Sequence, residues 1–221
     1  MESSLHKQLK TLYADDHAHL EHKLGQYRID VARDGELIEI QHGSLAAIRD
    51  KVQDLTARHR VLVVKPIIVR KQLIKLAARH GAVVSRRLSP KKGDLLDLFD
   101  DLVYFTRVFP HRNLTLEVLL IDIEEWRYPG HGRRRFRRKN DHIVADQKLL
   151  KIHATHRFRT ASDLLGLIPG SLEEPFHTGQ LAEAMSIARS KARQIAYCLR
   201  KTAALRECGK VVNARLYRRA A

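Results

Sequence analysis

Asp30 and Glu39 are the residues of this 221-residue chain whose types and spacing best suit chemistry. Each lies between large apolar neighbours, Ile29 and Val31 for the first, Ile38 and Ile40 for the second. Between them stands Asp34-Gly35, a strong hairpin signal, because both residues of a two-residue turn must tolerate positive φ. Folded on that turn, the two carboxylates face each other near the same end of a hairpin. Like charges raise one another's pKa, and desolvation in a half-buried sheet adds to the cost. A divalent cation removes that cost, and oxygen ligands suit Mg²⁺ or Mn²⁺. Such an ion polarises a phosphoryl oxygen and supplies hydroxide for in-line attack. The competing reading is that both carboxylates are solvated on the outer positions of a two-sided strand.

Two basic clusters stand further along. Arg133, Arg134, Arg135, Arg137, Arg138 and Lys139 surround Phe136 after Gly130 and Gly132, which suits either a phosphate-contacting arm or a solvated loop. Arg189, Ser190, Lys191, Arg193 and Gln194 open a helix expected over Ala188–Thr202, where side chains and free N–H groups meet phosphates and base edges.

The elements that must position these residues follow from periodicity and turn residues. Leu5, Leu9 and Leu12 recur at helical spacing. Three short strands are expected over His19–Leu24, Tyr27–Arg33 and Glu36–His42. Ser44 reads as the N-cap of a helix reaching about His59, and Arg60–Ile67 as a buried strand ended by Pro66. The order is α-β-β-β-α-β. Beyond it, the pattern predicts a helix over Val69–Arg79, a basic strand over Ala82–Leu88 and a helix from about Leu95 to Thr106. A strand over Leu114–Glu124 follows, with Ile143–Ile152 pairing back onto it, so that the arginine-rich loop forms a hairpin tip. Short helices are expected over Ala161–Ile168, Thr178–Met185 and Ala188–Thr202, then two strands within Leu205–Arg218 turning at Gly209. Cys198 falls on the inner face of the last helix, as a small core residue.

Two resemblances arise from these segments. Tyr27-Arg28-Ile29-Asp30-Val31 and Leu37-Ile38-Glu39-Ile40-Gln41, in an α-β-β-β-α-β frame, resemble the catalytic hairpin of the PD-(D/E)XK nuclease superfamily. The resemblance implies that Asp30 and Glu39 hold a Mg²⁺ or Mn²⁺ ion, with the Ile40 carbonyl joining the metal shell. Glu21 matches the additional acidic residue many members carry. Gln41 takes the place of the family lysine; it can position water but supplies no charge, and His42 and Arg28 are the nearby groups that could compensate. Thr178 through Arg218 resembles a winged helix-turn-helix, which implies that Lys210, Asn213 and Arg215 of the wing reach the flanking backbone. The fold so implied is α/β (α+β). A restriction-endonuclease-like domain spans 1–155, with a basic extension over 66–155, and a winged helix spans 156–221. The implied activity is metal-dependent cleavage of duplex DNA. The alternatives are a DNA-binding regulator built on a degenerate nuclease fold, or an RNA-binding protein. Many such nucleases act as homodimers.

Composition agrees with a polyanionic partner. The chain carries 41 Lys+Arg against 25 Asp+Glu, a formal charge of +16. Residues 1–65 are neutral, whereas 66–155 carry +9 and 156–221 carry +7. A surplus of this size attracts nucleic acid, with counterion release supplying much of the affinity. No run reaches the roughly 18 apolar residues of a membrane span, and no signal-peptide core opens the chain. Only Cys198 and Cys208 are present, which argues against a disulfide framework and for a reducing, cytoplasmic setting. His17, His19 and His22 beside Asp15 and Asp16 do not have zinc-site spacing. Neither a Walker glycine motif nor Gly-X-Ser-X-Gly occurs, which excludes the commonest ATP-binding and serine-hydrolase patterns.

Overall fold

Three antiparallel strands open the sheet, and their turns explain why. The computed structural model describes residues 2–130 and 141–220. In it, β1 (His19–Leu24), β2 (Tyr27–Arg33) and β3 (Glu36–Ile40) follow helix α1 (Ser4–Tyr13). Asp34 and Gly35 hold φ of 45° and 70°, as a two-residue turn of this hand requires. Gly35→Ala is expected to cost about 1 kcal/mol, the penalty of a Cβ in left-handed backbone. Nothing closer than an arginine side-chain nitrogen at 3.9 Å would meet that Cβ, so the loss is conformational rather than steric. Urea unfolding measures it directly.

A 3₁₀ turn at Leu45–Ile48, capped by the Ser44 hydroxyl, leads into α2 (Arg49–Thr56) and then β4. The observed order is therefore α-β-β-β-α-β. Strand β4 differs from expectation. It runs unbroken from Arg60 to Leu76, through Pro66 and through the segment whose composition predicts a helix over Val69–Arg79. Pro66 is tolerated for a geometric reason. The Val64 carbonyl accepts from Gln41 on the β3 side, whereas the Val61 N–H donates toward the opposite side, to Asn113. Two residues after Val64, Pro66 turns its nitrogen toward β3 as well, and β3 has already ended opposite Val64. No ladder donor is missed there. The helical pattern misleads because the register slips between Ile68 and Arg70, breaking the period-two alternation.

The rest of the sheet is β5 (Val83–Leu88), β6 (Leu114–Pro129) and β7 (His142–Phe158). The order is β1-β2-β3-β4-β6-β7, with β5 paired along the far half of β4. β3, β4 and β6 are mutually parallel; the remaining pairings are antiparallel. The sheet is thus mixed. β4 and β7 have 17 residues each and β6 has 16, roughly 55 Å when extended, so they form an arm beyond the short strands. β6 and β7 pair up to Pro129 opposite His142. Arg133, Arg134, Arg135, Arg137, Arg138 and Lys139, with Phe136, lie outside the described residues.

One face of the sheet is covered by α1 through Leu5, Leu9 and Tyr13. The other carries α2, a 3₁₀ turn at Leu95–Asp97, and α3 (Leu98–Leu102), which is far shorter than the helix expected to Thr106. On that same face pack the C-terminal elements: α4 (Ala161–Leu165), α5 (Thr178–Ala184), α6 (Arg189–Lys201) and the hairpin β8 (Leu205–Val211) with β9 (Ala214–Arg219). A single apolar cluster runs from Ile29 and Val63 through Phe99 and Phe105 to Leu199 and Tyr217. The hairpin turns at Val212-Asn213, not at Gly209, where the register slips instead. Cys198 is buried and Cys208 exposed, both unpaired. Among the described residues, no helix is long and apolar enough to cross a membrane.

Candidate functional site

Strand register brings three carboxylates into one row. His22 opposes Ile29 and Leu20 opposes Val31, which sets Glu21 across from Asp30. Val31 opposes Ile38, which sets Asp30 next to Glu39 on the following strand. The backbone is unusual along this row. Glu21 holds a φ of 52°. Ile29 packs in the core beneath α2 but Val31 packs beneath α1, although period-two alternation would put both on one face. The strand turns over at Asp30, between the two apolar faces.

Each carboxylate has its own environment. Burial would raise the pKa of Asp30, but hydrogen bonds outweigh it and hold the group below the ordinary range. One oxygen lies 3.0 Å from His6 Nε2, and the other accepts from the Ile40 N–H at 2.8 Å. The same contact with Asp30 raises the pKa of His6. Glu21 pairs with Lys10 and Arg28, and the Lys10 contact is the main reason its pKa is lowered. Glu39 behaves oppositely. It is only 5 % exposed, and burial pushes its pKa up to about 7, against the pull of Lys51 and with Asp30 adding repulsion.

Lys51, on α2, is the cation beside Glu39. Its Nζ lies 2.6 Å from Glu39 Oε1 and donates to the Arg28 carbonyl at 2.5 Å. The pair is close enough to be ionic, yet Oε1 receives no hydrogen bond of good geometry. Gln41 does not fill this place: its Nε2 donates to the Ser44 carbonyl at 2.9 Å. Arg28 is engaged with Glu21, and burial lowers the pKa of His42, with Lys65, Lys71 and His6 adding to the effect. A sequence signal for Lys51 existed. It stands three residues after Ile48 and four before Leu55, on the apolar stripe of its helix, where a lysine requires a buried partner.

The donors available to a metal at this row are the Asp30 and Glu39 carboxylates and the Ile40 carbonyl. No group of three or more His, Cys, Asp or Glu side chains converges as a metal site among the described residues. Two carboxylates with water nevertheless fit Mg²⁺, which keeps much of its hydration. A divalent cation on Glu39 would share the carboxylate with Lys51, whose Nζ lies 2.6 Å from Oε1.

A second charged surface lies on α6. Arg189, Arg193, Tyr197 and Arg200 follow one another at helical spacing and line a groove of about 600 Å³ closed on its other side by Val211, Val212, Asn213 and Arg215. Ser190 and Lys210 are exposed outside it, and Gln194 is half-buried. Lys191 is not available to a ligand in the same way: its Nζ binds Asp100 at 2.7 Å and Asp97 at 3.3 Å, tying α6 to the segment around α3. Tyr197 and Arg200 belong to this surface because the exposed face continues along α6 beyond the N-terminal turn that carries Arg189 to Gln194.

Residues 3–159 match a protein family described as a domain of unknown function, DUF8091. The chain belongs to this family. The DUF8091 match ends one residue after β7, so it takes in the whole large sheet and the carboxylate row but not α5, α6 or the β8–β9 hairpin. An uncharacterized protein of Treponema pallidum (strain Nichols) is 27 % identical over 184 residues, covering 82 % of this chain and 72 % of that protein. No solved structure matches.

Proposed function

We propose that this protein binds duplex DNA and hydrolyses its phosphodiester bonds with a divalent cation at Asp30 and Glu39. On this reading α1 through β4 form a restriction-endonuclease-like core, and α5, α6 and the β8–β9 hairpin form a winged helix. The observation that carries it is the row Glu21, Asp30, Glu39, ending in a buried carboxylate near neutrality beside a lysine. Mg²⁺ or Mn²⁺ held by Asp30, Glu39 and the Ile40 carbonyl would supply positive charge to a phosphoryl oxygen and acidify bound water. Lys51 supplies a fixed cation at the position where Gln41 offers none. Burial makes the charge on Glu39 costly, and a bound cation would hold that carboxylate ionised. His6 and the Ile40 N–H hold Asp30 ionised and oriented. The groove on α6 and the basic arm supply the phosphate contacts.

Incubation of the purified chain with supercoiled plasmid and Mg²⁺ or Mn²⁺ tests this. Nicking or linearisation is expected, reduced about a thousandfold or more by Asp30→Ala, the scale of losing a group that acts in the transition state. Cleavage unchanged by that substitution overturns the assignment. A second reading is favoured by one observation: every carboxylate of the row already has a protein cation, Lys10 and Arg28 on Glu21, His6 on Asp30, Lys51 on Glu39. A DNA-binding protein without cleavage is its outcome, with salt-dependent binding and no metal-dependent nicking.

A further inference from the structure

We propose that the groove between α6 and the β8–β9 hairpin holds an unpaired DNA segment at a duplex end, with a base stacked on Tyr197 and Val212 inserted at the junction. This rests on the DNA binding proposed above and specifies the form of DNA. Shape is the first argument. The exposed face of α6 is the floor of a groove rather than a free ridge, because Val211 through Arg215 stand along it. Its volume of about 600 Å³ falls in the range of pockets for small organic ligands, about 300–1,000 Å³. A nucleotide fits such a space.

Chemistry is the second. Arg189, Arg193 and Arg200 line the groove with one carboxylate, Glu183, while Arg215, which also lines it, is paired with Glu207 at 3.3 Å. Guanidinium groups are the preferred partners of phosphate oxygens. Tyr197 lies among them, 39 % exposed, with Lys201 Nζ 6.0 Å from its ring centroid. An aromatic ring within a basic groove is the arrangement that stacks unpaired bases without regard to sequence.

The hairpin tip is the third. Val212 is 91 % exposed and holds a φ of 53°. A β-branched residue in left-handed backbone is strained, and such turns ordinarily take Asn or Gly there. Val211 beside it is 53 % exposed. Two valines displayed to solvent at a strained tip contribute nothing to the core. Apolar side chains placed this way act as wedges that unstack base steps.

Fluorescence anisotropy of the full chain, without metal and at one fixed salt concentration, distinguishes the outcomes. The probes are a blunt duplex, the same duplex with a single-stranded overhang, and the single strand alone. The overhang duplex is expected to bind about tenfold tighter than the blunt one, the scale of stacking one base. Tyr197→Ala is expected to erase that preference and Tyr197→Phe to keep it, while Val212→Gly lowers binding of the overhang duplex more than of the single strand. Equal affinity for blunt and overhang duplexes overturns the inference and leaves DNA binding standing. So does a preference unaltered in Tyr197→Ala. Absence of binding to all three probes removes both proposals.

Discussion

Glu39→Gln is expected to make the protein more stable at pH 8, nearly unchanged at pH 4, and unable to cut DNA. The stability change follows from the direction in which burial moves this group. Its pKa rises from 4.5 unfolded to about 7 folded, so between those values the folded state binds more protons than the unfolded chain. Stability therefore falls as pH climbs through that window and levels off above about pH 7. The full displacement corresponds to about 3 kcal/mol at 1.36 kcal/mol per pKa unit. Glutamine keeps the shape of the protonated acid and removes the penalised charge. It also leaves Lys51 without its partner, so a net gain of about 1–2 kcal/mol at pH 8 is expected, or several degrees in Tm for a chain of this size. Thermal unfolding at the two pH values checks this, and an earlier unfolding of the variant at pH 8 would contradict it. The same samples test the metal. Mg²⁺ is expected to raise the Tm of the native chain at pH 8 and not that of the variant, since a ligand stabilises only the state that binds it. A gain in stability coupled to a loss of cleavage is the mark of a site kept at the expense of the fold.

Phe99→Ala is expected to destabilise the protein by about 3–5 kcal/mol, the range for emptying a buried aromatic position. Phe99 is fully buried in α3, with Leu98, Leu102 and Phe105 around it. Its carbonyl faces Cys198 Sγ of α6 at 3.8 Å, and Lys191 binds Asp97 and Asp100 on either side. The cavity would thus open where the large sheet meets the C-terminal helices. Because one apolar cluster crosses that junction, unfolding is expected as a single transition displaced by roughly 10 °C, with near- and far-ultraviolet circular dichroism moving together. Two separate transitions, one at the original temperature, would show that the C-terminal elements hold a core of their own.

Local sequence determined a good deal of this protein. The Asp34-Gly35 turn requires positive φ, and the alternation around it assigns β2 and β3, so the nine-residue separation of Asp30 and Glu39 already brings them side by side. The α-β-β-β-α-β order and the helices α5 and α6 were legible for the same reason: periodicity and caps act within a few residues. Tertiary structure decided the rest. Pro66 ends a strand only if its nitrogen faces a paired neighbour, and whether β3 reaches that far is written in a different segment. The strand beyond it has helix-forming residues, yet β6 on one side and β5 on the other pair with its backbone and override propensity. Lys51, not Gln41, meets Glu39 because α2 crosses the sheet above it, and Lys191 faces acids rather than solvent because α3 packs against α6. The groove beside Tyr197 exists only because a hairpin formed after α6 lies along its exposed face. The residues that could do chemistry were visible from their types and spacing. Which charges neutralise them, and which surfaces remain open to a ligand, depends on contacts between segments distant in the chain.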